Sequence, residues 1–536
     1  MGCLGERITS HRICVSIVQS ALFRHALRPA RLLPIIILSG IAFAQINHVE
    51  VAARLLSQGQ LEQAETEARK ALGSPDTRAL ALAMLGTIRL QESKYDESVS
   101  FLTQALALNP RLPGARTSLG SAYALQGEVD LARKSFREVL RIDPANVNAR
   151  LSLAKVEASL HNFQQSLDVA APIVAQLRGT EDGLLLLATD YGALGRKEKL
   201  KGLVGDWKGM STASPEASLD FGDLLAMYGM TAEAKELFES QETKITEQRS
   251  STLAYRLGRG FLAVGALDRA ETNLQFALTQ DPQCVVCLQG LAEVAEKEGN
   301  TEKALAHLIA AKKMDPENPE LLFEFGKVCL QRNLLDDAMP ALIKAVALKP
   351  DQEPYVYVLG SAYVAQHDLP KAASLFGGLL QKHPKDAVLN YAMGSVYYLQ
   401  HKYGEAEASF KESLRAQPDQ IAASYYLGLT YDAIGQDDKA IPIFRDLVNT
   451  HPEHAPSYVQ LGSILLRQHQ YDESQKALES AVALDPRSVE AHYQMGMLLR
   501  RLGRTAESDA QLAESRKLEG ERRAESSLHL RLLLPE

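Results

Sequence analysis

Cys284 and Cys287 stand three positions apart, the one local pattern in the chain that invites redox or metal chemistry. A redox pair needs a thiol of lowered pKa in an electropositive setting, and a structural zinc needs further ligands. Here the pair sits where one period of the sequence passes into the next, so packing or a disulfide is the expected role. Cys329 falls on an apolar helical stripe and reads as a core thiol. His451 and His454 lack a His-Glu-x-x-His frame, and His401 lies in a predicted reversal. Gly258-Arg259-Gly260 has no strand-to-helix context for cradling phosphate. Carboxylates are plentiful, but no isolated pair is justified as acid and base. The expectation is therefore no catalytic residue, no metal and no cofactor, and a function carried by surface.

What must position that surface is a repeat. Pro282, Pro316, Pro350, Pro384, Pro418, Pro452 and Pro486 recur every 34 residues, and Pro110 and Pro144 show the same spacing. Eight contiguous repeats then begin at Ser251, Val285, Pro319, Glu353, Ala387, Ile421, Ala455 and Val489. Their seventh and eighth positions run from Leu257-Gly258 to Met495-Gly496, with Ala292 replacing glycine once. The twentieth is alanine, or serine at Ser474 and Ser508, and the twenty-fourth is leucine or phenylalanine. Apolar residues at three- and four-residue intervals give each helix one sticky stripe. Glycine and alanine let two helices approach closely, and proline marks the boundary before the next repeat. Two antiparallel helices per repeat follow, with reversals near Gly299-Asn300, His401-Lys402 and Gly435-Gln436.

In the repeat from Ala387 the recurring positions read Met393, Gly394, Tyr397, Ala406, Phe410 and Pro418; in the next they read Leu427, Gly428, Tyr431, Ala440, Phe444 and Pro452. This pattern resembles the tetratricopeptide repeat family. The resemblance implies an all-α fold, a right-handed α-solenoid of stacked antiparallel helix pairs. Residues 45–146 continue the pattern through Leu85-Gly86 and Leu119-Gly120, whereas 147–250 keep the frame with degraded motifs, and 251–522 form the strong array. Arg249 and Ser250 are two extra residues in the frame, and about fourteen repeats are expected in all. Gly195, Gly202, Gly205 and Gly209 predict a softer joint or distortion near residues 195–215, where Trp207 is expected to pack.

The first 44 residues have another character. Arg7, Arg12, Arg24, Arg28 and Arg31 precede an apolar run from Leu32 to Ile41, and Ala42-Phe43-Ala44 offers a cleavage site before Gln45. That order predicts a bacterial secretory signal and a periplasmic location; an uncleaved membrane anchor is the alternative, although the run is short for a span. At the other end, residues 523–536 carry Leu528, Leu530, Leu532, Leu533 and Leu534, read either as a cap over the last repeat or as a docking tail for another chain. Of 536 residues 23% are charged and 46% apolar, with net charge -8 and no basic field for nucleic acid.

In the family the first helix of each repeat lines the inner surface. The resemblance thus turns the fifth positions toward a groove: Tyr255, Phe323, Tyr357, Tyr391, Tyr425 and Tyr493, with Gln289 and Val459 between them. A ladder of tyrosines would grip an extended peptide, or would serve packing between adjacent helices; the sequence leaves both open. The lysine and asparagine with which some members clamp a terminal carboxylate are missing, although Arg259 and Lys327 at ninth positions could draw an acidic segment. The partner expected is a protein or peptide. The leading function is a noncatalytic scaffold that binds a peptide segment or assembles envelope proteins; the alternative is a regulatory or carrier subunit of an envelope enzyme or polymer-processing complex.

Overall fold

A computed structural model describes residues 48–210 and 212–532, with side chains through residue 522. The proposed signal segment and the leucine-rich tail side chains lie outside the described residues. Among those residues all elements are helical, and they alternate as antiparallel pairs. In the strong array the first helices start at Ser251, Val285, Pro319, Glu353, Ala387, Ile421, Ala455 and Val489, the positions predicted from the proline spacing. Six further pairs precede them, from His48–Ser57 onward.

Each reversal within a pair is closed by one residue in the left-handed backbone region. Glycine fills it eight times, as at Gly265, Gly299 and Gly435; Ser93, His161, Asn333, His367, His401 and His469 fill it elsewhere. The amide that follows then bonds back to the first helix, as Gln436 N to Tyr431 O at 2.9 Å and Lys402 N to Tyr397 O at 2.9 Å. Between pairs, a side chain commonly caps the next helix: Asn318 accepts from Leu321 N, Asp386 from Leu389 N and Ser488 from Ala491 N.

The eighth, twentieth and twenty-fourth positions meet inside each pair. Ala372, Ala406 and Ala440 are fully buried, and Phe376, Phe410 and Phe444 nearly so. A methyl group added to Gly360, Gly394 or Gly428 would come within 2.6–2.7 Å of the corresponding phenylalanine ring. Where serine replaces alanine, its hydroxyl is satisfied by the glycine carbonyl: Ser474 Oγ donates to Gly462 O at 2.7 Å and Ser508 Oγ to Gly496 O at 2.8 Å.

The chain falls into two compact units, the first ending at Met314 and the second starting at Asp315. In the first, the predicted distortion is displaced. Lys197–Gly209 is one unbroken helix despite its glycines, while the second helix of the repeat from Val147 breaks into Phe163–Ala170, a tight turn at Ala171–Ile173 and Val174–Leu177. Pro172 falls inside that segment, where it lacks an amide donor and its ring crowds the preceding turn, although Pro340 and Pro442 are accommodated within unbroken helices elsewhere. Trp207 is buried as expected and stacks on Phe221 at 4.4 Å between ring centroids. The two extra residues end a lengthened helix, Thr231–Gln248: Arg249 takes the left-handed conformation and Ser250 caps Ser251–Ala263. In the second compact unit, six pairs run from Pro319–Gln331 to Thr505–Leu532. Adjacent first helices touch, as Ala387–Leu399 does Ile421–Ala433.

Candidate functional site: an aromatic face in the second compact unit

The first helices at Glu353–Ala365, Ala387–Leu399 and Ile421–Ala433 carry almost no charge. Ala387–Leu399 has none, and the others have only Glu353 and Asp432. Those two carboxylates are matched, Glu353 by His383 at 2.9 Å and Asp432 by Arg467. In a chain that is 23% charged, this stretch is the exception.

Tyr357, Tyr391 and Tyr425 each project from this face while resting on the buried phenylalanine of their own repeat. The ring centroids are 5.5 Å apart for Tyr357 and Phe376, 6.1 Å for Tyr391 and Phe410, and 5.9 Å for Tyr425 and Phe444. Each tyrosine is part-buried, so the ring both supports packing and remains accessible. The packing reading of the ladder is met by these contacts, and the same rings keep part of their surface open to solvent. Burial raises the pKa of all three phenols, assisted at Tyr357 by Tyr391 and Asp386 and at Tyr391 by Tyr426. They stay protonated at ordinary pH, so each hydroxyl can both donate and accept.

Sequence reasoning missed the ring that joins them. Tyr426 lies 5.9 Å from Tyr391, 5.8 Å from Tyr398, 5.8 Å from Tyr425 and 5.9 Å from Phe410. His454 adds an edge contact to Tyr425 at 5.4 Å. The signal was present as the doublets Tyr397-Tyr398 and Tyr425-Tyr426, whose second members fall at the twelfth and sixth positions of their repeats.

The remaining predicted residues are dispersed. Phe323 stacks on Tyr355 at 4.3 Å, which covers one of its faces, and Tyr493 is 45% exposed on the last first helix. Tyr255 and Arg259 belong to the first compact unit. Arg259 is paired with Glu293 from the neighbouring first helix, and Lys327 with Glu324 one turn earlier. An acidic ligand at either cation would compete with a carboxylate already in place, so the attraction expected of them is weakened.

Cys284 and Cys287 form a disulfide at the start of Val285–Lys297, and Cys329 is a buried thiol. His454 bonds Ser457 at 2.7 Å, and burial lowers its pKa. No set of three or more His, Cys, Asp or Glu side chains is placed to hold a metal among the described residues, nor is any helix there long and apolar enough to cross a membrane.

The tetratricopeptide repeat pattern matches residues 83–147, 296–361, 357–421, 391–455 and 459–515, just over half of the chain. The protein belongs to the tetratricopeptide repeat family. It is 22% identical over 275 residues to the Protein CTR9 homolog of Arabidopsis thaliana, covering 50% of this chain and 25% of that protein. It is also 22% identical over 286 residues to Cellulose synthase operon protein C of Pseudomonas fluorescens (strain SBW25), covering 51% of this chain and 20% of that one. The chain thus spans a quarter or less of the length of these two relatives. Among solved structures, yeast Tom70 aligns over 84% of this chain and 97% of its own, at 16% identity and a TM-score of 0.37.

Proposed function

We propose that this protein is a noncatalytic scaffold which holds a peptide segment of a protein partner against Tyr357, Tyr391 and Tyr425, and which works outside the cytoplasm in assembling envelope proteins. The observation that carries the reading is the near-uncharged aromatic face, whose rings are fixed from behind by Phe376, Phe410 and Phe444. Rigid, part-exposed tyrosines supply contact area at low entropic cost, and few ionic groups need to be stripped of water when a ligand arrives. Export is supported by the order of basic and apolar residues before Gln45, and the Cys284–Cys287 disulfide suits an oxidising compartment. A carrier or regulatory role in a polymer-processing complex is the second reading, favoured by the match to Cellulose synthase operon protein C.

Capture of partners from the native compartment, followed by competition with a short peptide from the captured protein, tests the scaffold. The variant Tyr357→Ala/Tyr391→Ala/Tyr425→Ala is expected to keep its helicity by circular dichroism and to lose about tenfold or more in peptide affinity, since tyrosines central to an interface commonly contribute 1–3 kcal/mol each. Unchanged affinity in a folded variant removes the face from the mechanism. Capture of an envelope polymer or its synthase, insensitive to peptide, favours the second reading. The mass of the mature amino terminus decides whether cleavage occurs before Gln45.

A further inference from the structure

From the chemistry of the aromatic face we infer that its occupant is an uncharged, proline-rich extended segment. The inference rests on the peptide-binding reading above and makes the ligand class specific.

Three properties of the face bear on the choice. It is almost free of charge along Glu353–Ala365, Ala387–Leu399 and Ile421–Ala433, and the charges at its margins, Glu353 and Asp432, are engaged by His383 and Arg467. An acidic tail would lose hydration there and find no counter-charge, and a basic segment would meet only Asp386 and Glu490, which already accept from Leu389 N and Gln494 Nε2. Next, its polar groups are mainly hydroxyls, and those at the ninth position are spoken for: Ser361 Oγ donates to Tyr357 O at 3.1 Å and Ser395 Oγ to Tyr391 O at 2.9 Å. The ninth-position asparagine that could take both donor and acceptor from an extended backbone is absent, since Ser361, Ser395 and Leu429 occupy those places. A peptide rich in amide N–H groups would depend on the phenol oxygens as acceptors, and each donor buried without one would cost roughly 1–3 kcal/mol.

Proline removes that cost because it has no N–H. A polyproline-type segment presents ring faces and carbonyl acceptors, which match aromatic planes and phenol donors, and it is already extended before it binds. Tyr391, Tyr398 and Tyr425 each meet Tyr426 edge to face, so the ring planes point in different directions instead of forming one flat wall. Burial keeps the Tyr357, Tyr391 and Tyr425 phenols protonated, so their hydroxyls remain donors.

Fluorescence anisotropy on the full chain tests the assignment with three labelled peptides of equal length: an uncharged proline-rich peptide, the same peptide with every proline replaced by alanine, and an acidic peptide. The proline-rich peptide is expected to bind at least tenfold more tightly than the other two. Its affinity should change less than about twofold between low and high salt, because no ion pair forms. Tyr391→Ala/Tyr426→Ala should weaken it at least tenfold. Tyr391→Phe/Tyr425→Phe, which keeps the rings and the packing, should weaken it about threefold to tenfold and covers the case in which the alanine variant fails to fold. Equal binding of the alanine peptide, still sensitive to the tyrosine variants, would overturn the proline assignment and leave the peptide-binding face standing. Tighter, salt-sensitive binding of the acidic peptide would overturn the assignment and shift the site toward cations. Binding of none of the three would overturn it as well, and the native-partner capture would then decide the broader reading alone.

Discussion

At the scale of single residues, glycine does two opposite things in this protein, and substitution separates them. Gly360 lies in a first helix against a second, and a Cβ there would meet the Phe376 ring at 2.6, 2.9 and 3.1 Å. The ring is almost fully buried and has no free space into which to retreat. Gly360→Ala should gain up to about 1 kcal/mol of helix propensity and lose more from overpacking, a net loss of about 1–2 kcal/mol. Gly377 sits in the second helix of the same repeat with nothing within 4 Å of an added Cβ. Gly377→Ala should therefore stabilise by roughly 0.5–1 kcal/mol through propensity alone. Denaturant midpoints of the two variants measure the difference, and equal shifts of the same sign would contradict the close-approach account.

At the scale of elements, the hairpin is the unit that the sequence encodes most completely. Its frame was legible because proline, glycine and the alanine-phenylalanine pair each answer a separate physical demand at a fixed spacing. The reversal residue was less evenly legible: the sequence marked it at Gly299, His401 and Gly435, but not at His367 and His469, where histidine takes the same left-handed conformation. Two of these histidines bond the tyrosine two residues on, His401 Nδ1 to Tyr403 Oη at 2.9 Å and His469 Nδ1 to Tyr471 Oη at 2.9 Å. Periodicity cannot reveal such a local compensation, and a histidine in a turn looks from sequence like any surface histidine. Gly435, at φ 72°, has no ring pair of that kind to depend on and shows the bare cost of the conformation. Gly435→Ala should destabilise the second compact unit by about 1 kcal/mol, while Gly435→Asn should cost less because asparagine tolerates this region. Hydrogen exchange of the Gln436 amide, which bonds Tyr431 O, reports whether the reversal has loosened.

At the scale of the whole molecule, the repeats make stability a sum of local contributions, so a single buried group acts mainly on its own neighbourhood. The tyrosine ladder was visible in sequence as a row of fifth positions. Its junction at Tyr426 was not, because contact between neighbouring repeats depends on how adjacent first helices are set against one another. Asp190 was hidden for the same reason: nothing around it in sequence distinguishes it from a surface acid, yet it is fully buried in the first compact unit. Ser166 Oγ donates to its Oδ2 at 2.6 Å, and its Oδ1 has no partner. Desolvation, partly offset by Ser166, pushes its pKa from 3.8 up to about 8. The folded carboxyl thus keeps a proton that the unfolded chain has already released, and the folded state binds more protons between those two values. Its contribution is favourable at low pH and is lost as pH rises from about 4 to about 8, beyond which the slope vanishes. Asp190→Asn is neutral throughout and preserves an acceptor for Ser166. Relative to the parent, it should leave stability nearly unchanged at about pH 4 and raise it by several kcal/mol, up to about 5 kcal/mol, at about pH 8. Because coupling in a repeat array is local, the gain should appear in exchange protection around Glu181–Ala193 and leave the repeats from Glu353 onward unaltered. Parallel pH profiles for parent and variant would show that the carboxyl is ionised in the fold and has found a partner.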